Sequence, residues 1–227
     1  MSHRFSRLEK IITKEKLEIL KTKTVLVLGI GGVGGYVVES LARSGIGTLI
    51  IADFDTIDET NINRQIIALD STIGKLKVDV LEQRIKDINP ECNVIKISDF
   101  ISKDNIDIIF NYDIDYLVDA CDTIETKKEV IKKCLEKNIK FISSMGTGNK
   151  LDPSKLEIVD IRKTNNDPLA RIMRKFVKDE TITSKIMVLA SKELPIKTHE
   201  RTPGSSAFVP PAAGLQIGSY IIRDFIK

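Results

Sequence analysis

The stretch Leu28-Gly29-Ile30-Gly31-Gly32-Val33-Gly34-Gly35 constrains this chain more than any other. The apolar run Thr24-Val25-Leu26-Val27 before it predicts a buried strand, and Tyr36–Ala42 after it predicts a helix. Gly29, Gly31 and Gly34 fit the glycine fingerprint of a nucleotide-binding strand–turn–helix. The first glycine permits the tight turn, the second lets a phosphate approach the backbone, and the third lets helix and strand pack closely. The helix amides then face the phosphate. On its own the fingerprint also suits a turn with no ligand.

The residues after the turn predict an α/β protein: a Rossmann-like, mostly parallel sheet with helices on both faces. The second strand, Thr48–Asp53, ends in an acid, and Asp53 in that position can accept hydrogen bonds from a ribose hydroxyl. The segment from Asp55 to Gln65 is polar and aperiodic and reads as a loop entering a short helix. A helix starts around Ile73–Lys77 and stops near Asn89-Pro90, with Lys77 in its first turn. A lysine there opposes the helix dipole but suits a residue aimed at a phosphate. Cys92–Ile97 is a third strand and Asp104–Phe110 a short helix. The fourth strand runs Asp115–Asp122 and places Asp122 on the same rim as the glycines. Residues 124–138 form a helix whose lysines, Lys127, Lys128, Lys132, Lys133 and Lys137, read as a solvated face. Lys140–Ser144 is a fifth strand.

Residues 1–150 thus form a nucleotide-binding core of one 227-residue domain, and 151–227 a smaller strand–helix region for substrate or interface. In that region Asp167-Pro168 opens a basic helix carrying Arg171, Arg174, Lys175 and Lys178. Residues 191–207 read as a mobile polar loop, and Pro210-Pro211 opens an apolar C-terminal helix. An N-terminal segment, 4–21, is basic and helical, with Arg4 and Arg7 at its start.

A net charge of +3 is too small to argue for nucleic acid by itself. The three cysteines contain no CxxC pair, which argues against zinc and against a disulfide framework. No signal peptide or long apolar span is visible, so a cytoplasmic location is expected. His3 and His199 lie near a terminus and in a loop, and neither suggests catalysis.

GxGGVG, Asp53, Asn61-x-x-Arg64-Gln65, Gly74-x-x-Lys77 and Asp119-x-x-Asp122 together resemble the ubiquitin-activating-enzyme superfamily, over about residues 4–150. The joint spacing is far more specific than the glycines. The remaining stretches are similar to one family within it, the tRNA threonylcarbamoyladenosine dehydratases. These are Arg4-Phe5 with Arg7-Leu8, Ile88–Cys92, Asp152-Pro153, Lys163–Ala170 and Ala207–Gly218.

The resemblance implies transfer of AMP from ATP to a carboxylate, then cyclising dehydration of a threonylcarbamoyl group on tRNA. It implies Gly29, Gly31, Gly32, Gly34, Asp53, Asn61, Arg64, Gln65 and Lys77 as ATP-binding residues and Asp122 as the magnesium ligand. Arg64, Lys77, Asp122 and Arg7 would be catalytic, Arg7 reaching a neighbouring subunit's triphosphate in a homodimer. A protein that relays sulfur or electrons is a further expected partner. Arginine offers phosphate a planar fork, lysine a point charge and aspartate an oxygen ligand for magnesium.

The competing readings are an adenylyltransferase for a ubiquitin-like sulfur carrier, a nicotinamide-dependent oxidoreductase and a non-catalytic nucleotide-binding module. The second leaves Arg64, Lys77 and Asp122 without a task, and a binding module has no need of Asp122 and magnesium. No cysteine follows Cys134, so the usual downstream thioester nucleophile is missing, and the paired zinc motif of the sulfur-carrier enzymes is absent. Segment 191–207 is shorter than in familiar dehydratases.

Overall fold

A computed structural model describes residues 3–200 and 202–227; Arg201, inside the segment 191–207, lies outside the described residues, as do Met1 and Ser2. The N-terminal segment forms two short helices, α1 (Ser6–Ile12) and α2 (Lys14–Lys21). They are broken at Thr13, whose φ of 74° no helix accommodates. Then come β1 (Thr24–Leu28), α3 (Gly34–Arg43) and β2 (Thr48–Ala52). They are followed by α4 (Lys77–Ile88), β3 (Asn93–Ile97), β4 (Tyr116–Asp119), α5 (Ile124–Glu136) and β5 (Lys140–Ser144). The chain closes with β6 (Leu156–Asp160), α6 (Pro168–Asp179), β7 (Met187–Ser191) and α7 (Val209–Phe225).

The strands make one seven-stranded sheet in the order β3-β2-β1-β4-β5-β7-β6, parallel except for β6 at one edge. A parallel sheet is covered on both faces, so its central strands are apolar throughout. Val25 and Val27 of β1 face a core shared with α3, α4 and α7, while Leu26 and Leu28 face a second core containing Ile106, Phe110 and Val130. A third cluster joins α6 to β7 through Met173, Phe176 and Val188.

The strand order reverses between β1 and β4, the point where open α/β sheets bind ligands. Several boundaries move relative to the sequence reading. The fourth strand stops at Asp119, so Asp122 sits on a loop beyond the sheet. The short helix before it is a 3-10 helix, Ile106–Phe110. Finally, α3 begins at Gly34 itself.

Candidate nucleotide site

Gly29 adopts φ of +81°, the left-handed region that the turn needs. A Cβ on Gly34 would lie 1.8 Å from the Gly29 carbonyl oxygen, so only glycine lets α3 start against the end of β1. Gly34 therefore serves packing and is not among the residues that line the cavity. Gly29, Gly31 and Gly32 do line it, together with Asp53, Asn61, Arg64, Gln65, Lys77 and Asp122. The cavity measures about 530 Å³ and opens at the carboxyl ends of the parallel strands.

Asp53 holds the turn in place. One of its oxygens accepts the Ile30 N–H at 2.9 Å and the other the Asp55 N–H at 2.9 Å. Lys77 is buried, pairs with Asp55 at 2.6 Å and lies 3.8 Å from Asp53. The block that read as a loop and short helix contains the 3-10 turn Glu59–Asn61, capped by Asp58. Asn61 is buried there, its side-chain oxygen accepting the Asp58 N–H at 3.3 Å. Arg64 is held over the glycine turn, donating to the Thr60 carbonyl at 2.7 Å and to Asn63 at 2.9 Å. Both acceptors are neutral, so an anion can compete for the guanidinium.

Gln65 has the one buried side-chain oxygen among the described residues that lacks a hydrogen-bond partner. Its amide also sits where a Cβ on Gly31 would make van der Waals contact. A buried unpaired acceptor of this kind calls for a donor from a ligand or an ordered water.

Asp122 is exposed and, among the described residues, has no ion-pair partner. No three His, Cys, Asp or Glu side chains among the described residues converge to hold a metal alone. One free carboxylate beside a phosphate-binding turn nonetheless suits magnesium, which commonly takes one or two carboxylates plus substrate phosphates. Arg7, exposed on α1, does not line the cavity.

Several lining residues were not singled out for the site in the sequence. Phe54 and Phe100 pack edge to face, 4.8 Å between centroids, beyond the ends of β2 and β3. Thr147, Ser205 and Pro210 arrive from the C-terminal side. The expected mobile loop is tied down here. Asn149 accepts the Gly204 N–H at 2.6 Å through its side chain and the Ile196 N–H at 2.7 Å through its carbonyl, and Asn63 donates to the Ser205 carbonyl at 3.0 Å.

The predicted solvated lysine face needs correcting too. Lys127 is fully buried and pairs with Asp119 at 2.9 Å, because its helix position turns it onto the ends of β4 and β5. In α6, Arg174 is committed to Thr164, while Arg171, Lys175 and Lys178 are exposed.

The chain is similar to several tRNA-modifying and adenylating enzymes. A Bacillus subtilis tRNA threonylcarbamoyladenosine dehydratase is 44% identical over 100% of this chain and 96% of its own length. The Escherichia coli enzyme of that name is 36% identical over 78% of this chain and 66% of its own length. Its crystal structure with AMP superposes with a TM-score of 0.93 at 30% identity, over 98% of this chain and 94% of that one. The complex with ATP gives 0.92, over 98% and 93%. A probable molybdopterin-synthase adenylyltransferase from Gracilaria tenuistipitata matches only 51% of this chain and 32% of its own length, at 40% identity. The ThiF family matches residues 5–175. By its glycine turn, its sheet order and that match over most of its length, the chain belongs to the ThiF family.

Proposed function

We propose that this protein uses ATP to activate the carboxylate of N6-threonylcarbamoyladenosine in tRNA, and that the activated group closes into a ring with loss of water. One observation carries the reading. The glycine turn, Arg64, Lys77 and Asp122 converge on one cavity, in a chain 44% identical along its whole length to a dehydratase of that name.

The steps balance with ATP and modified tRNA alone. A carboxylate oxygen attacks the α-phosphorus, the bond to the β-phosphate breaks, and pyrophosphate leaves. A neighbouring nitrogen or oxygen of the same group then attacks the acyl carbon. AMP departs with the former carboxylate oxygen, and the attacking atom releases its proton. Proximity favours this closure because nucleophile and acyl carbon belong to one substituent. No sulfur or electron changes hands, so the step itself does not need a relay partner.

Joining two anions makes charge neutralisation the main catalytic task. Arg64 and the backbone amides of Gly31 and Gly32 would receive the phosphates. Lys77 would add a charge shared with Asp55 and Asp53, and Asp53 would take the ribose. Magnesium would be held by Asp122 and phosphate oxygens, and when bound would offset phosphate charge. Arg171, Lys175 and Lys178 are the cations of α6 free to meet RNA phosphates, and Arg7 would act on a second copy in a homodimer.

The test is to incubate purified protein, ATP, magnesium and threonylcarbamoylated tRNA, digest the RNA and weigh the nucleosides. A modified adenosine lighter by one water is expected. An unchanged nucleoside, with AMP transferred instead to the C-terminus of a small sulfur-carrier protein, would move the function to the adenylyltransferase reading.

A further inference from the structure

The geometry points to Lys127 as a positioning residue that aims Asp122 into the nucleotide site from behind. It is among the largest side chains of the molecule with no solvent exposure, and its partner Asp119 is equally buried. A buried ion pair is a poor source of stability, since apolar residues of similar volume commonly do as well or better. Its location gives it another use.

The ammonium reaches Asp119 Oδ2 at 2.9 Å, Ser143 Oγ at 3.3 Å and the Ser144 carbonyl at 2.9 Å. Ser143 donates to the same Asp119 oxygen at 2.5 Å. The other oxygen, Oδ1, accepts the Cys121 thiol at 3.0 Å and the Cys121 N–H at 3.3 Å. One carboxylate thus clamps the first residues of the loop that carries Asp122. On its other side that loop presses on the glycine turn, for a Cβ on Gly29 would come within 2.8 Å of the Ala120 oxygen. Ala120, Cys121, Asp122 and Thr123 all line the cavity, and Ser144 leads into the turn that brings Thr147 there. Lys127 touches no part of the cavity itself. It acts by fixing the backbone of two walls, the nearer of which bears an exposed carboxylate with no ion-pair partner among the described residues to orient it.

This inference rests on the assignment of Asp122 to magnesium and phosphate, and the experiment separates the two. Lys127→Met/Asp119→Leu removes both charges with apolar side chains of similar size, and Asp122→Ala serves as the reference. In the paired variant the magnesium-free affinity for AMP should stay near wild type, while the melting temperature falls by several degrees because the Ser143 and Cys121 donors lose their acceptor. The gain in ATP affinity that magnesium brings should fall about tenfold, measured by calorimetry. Turnover in ATP–pyrophosphate exchange with threonylcarbamoylated tRNA present should fall roughly 10²–10³-fold, the scale for losing one preorganised charge, with KM for ATP at saturating magnesium rising in step with the lost affinity. Adding Asp122→Ala to the paired variant should cost nothing further, since both lesions act through one group.

Ser143→Ala removes a single donor from Asp119. It carries the same test where the paired variant folds poorly, with an effect of about three- to tenfold. A wild-type magnesium response in either folded variant, beside a lost response in Asp122→Ala, overturns the positioning role. A wild-type response in Asp122→Ala overturns the assignment of Asp122, and the role of Lys127 with it.

Discussion

Cys121 lines the nucleotide cavity, yet burial and the neighbouring Asp119 carboxylate push its thiol far above the ordinary range. Burial also raises Cys134, and it pushes Cys92 up to about 11. A thiol is nucleophilic only as thiolate, so all three stay protonated and unreactive at pH 8. Iodoacetamide at that pH should leave the native mass unchanged over a time that fully labels the urea-unfolded chain. Rapid labelling of Cys121 in the folded protein would revive a thioester intermediate. Arg64, Lys77 and Asp122 were singled out in the sequence because their joint spacing with the glycines resembles one superfamily, and all three line the same cavity. Lys127 was not. It lies in a helix rich in lysines, and what buries it, Asp119 and Ser143, comes from two strands whose pairing no local pattern reveals. Phe54 and Phe100 were equally hidden, since only the adjacency of β2 and β3 brings them together.

The strands of the core were readable because each is a short apolar run flanked by turn residues. Their order was not, and neither was the insertion of β7 between β5 and β6, which joins the C-terminal region to the main sheet. The seat of α7 was hidden as well, although its apolar character was plain. A Cβ on Gly214 would stand 2.4 Å from the Val33 carbonyl oxygen and 2.7 Å from the Tyr36 Cβ, so α7 rests directly on the first turn of α3. The same helix carries Pro210, which packs where a Cβ on Gly32 would sit at 3.1 Å. Gly214→Ala must therefore lift α7 from α3, and overpacking of this kind costs about 1–3 kcal/mol. In a chain of this size each kcal/mol lowers Tm by roughly 2–4 °C. The variant should melt lower by that measure and bind ATP more weakly, because the displaced contact borders the glycine turn. An unchanged Tm with unchanged ATP affinity would mean that α7 is not a fixed wall of the site.

At the scale of the whole molecule, every catalytic residue of the proposed mechanism except Arg7 lines the cavity of a single copy. That residue sits on α1 one helical turn before Ile11, on the same face, and Ile11 is 81% exposed. Nearby, Arg4 and Phe5 help line a cavity of about 920 Å³ with Leu69 and Leu76, both of them substantially exposed. A charge that misses its own site, beside apolar surface without cover among the described residues, suits a homodimer in which each copy serves the other's triphosphate. Mixing inactive variants distinguishes this arrangement from an Arg7 that swings into its own site. Arg7→Ala and Asp122→Ala should each be nearly inactive. After unfolding and refolding together, half of the dimers should be mixed. In each of these, one site would combine an intact Asp122 with an intact Arg7 from the other copy, while the second site would carry both lesions. Activity should then return to roughly a quarter of wild type, as two-fold symmetry requires. A mixture as inactive as its parents, with dimers present by light scattering, would place Arg7 in its own copy's site or outside the reaction altogether.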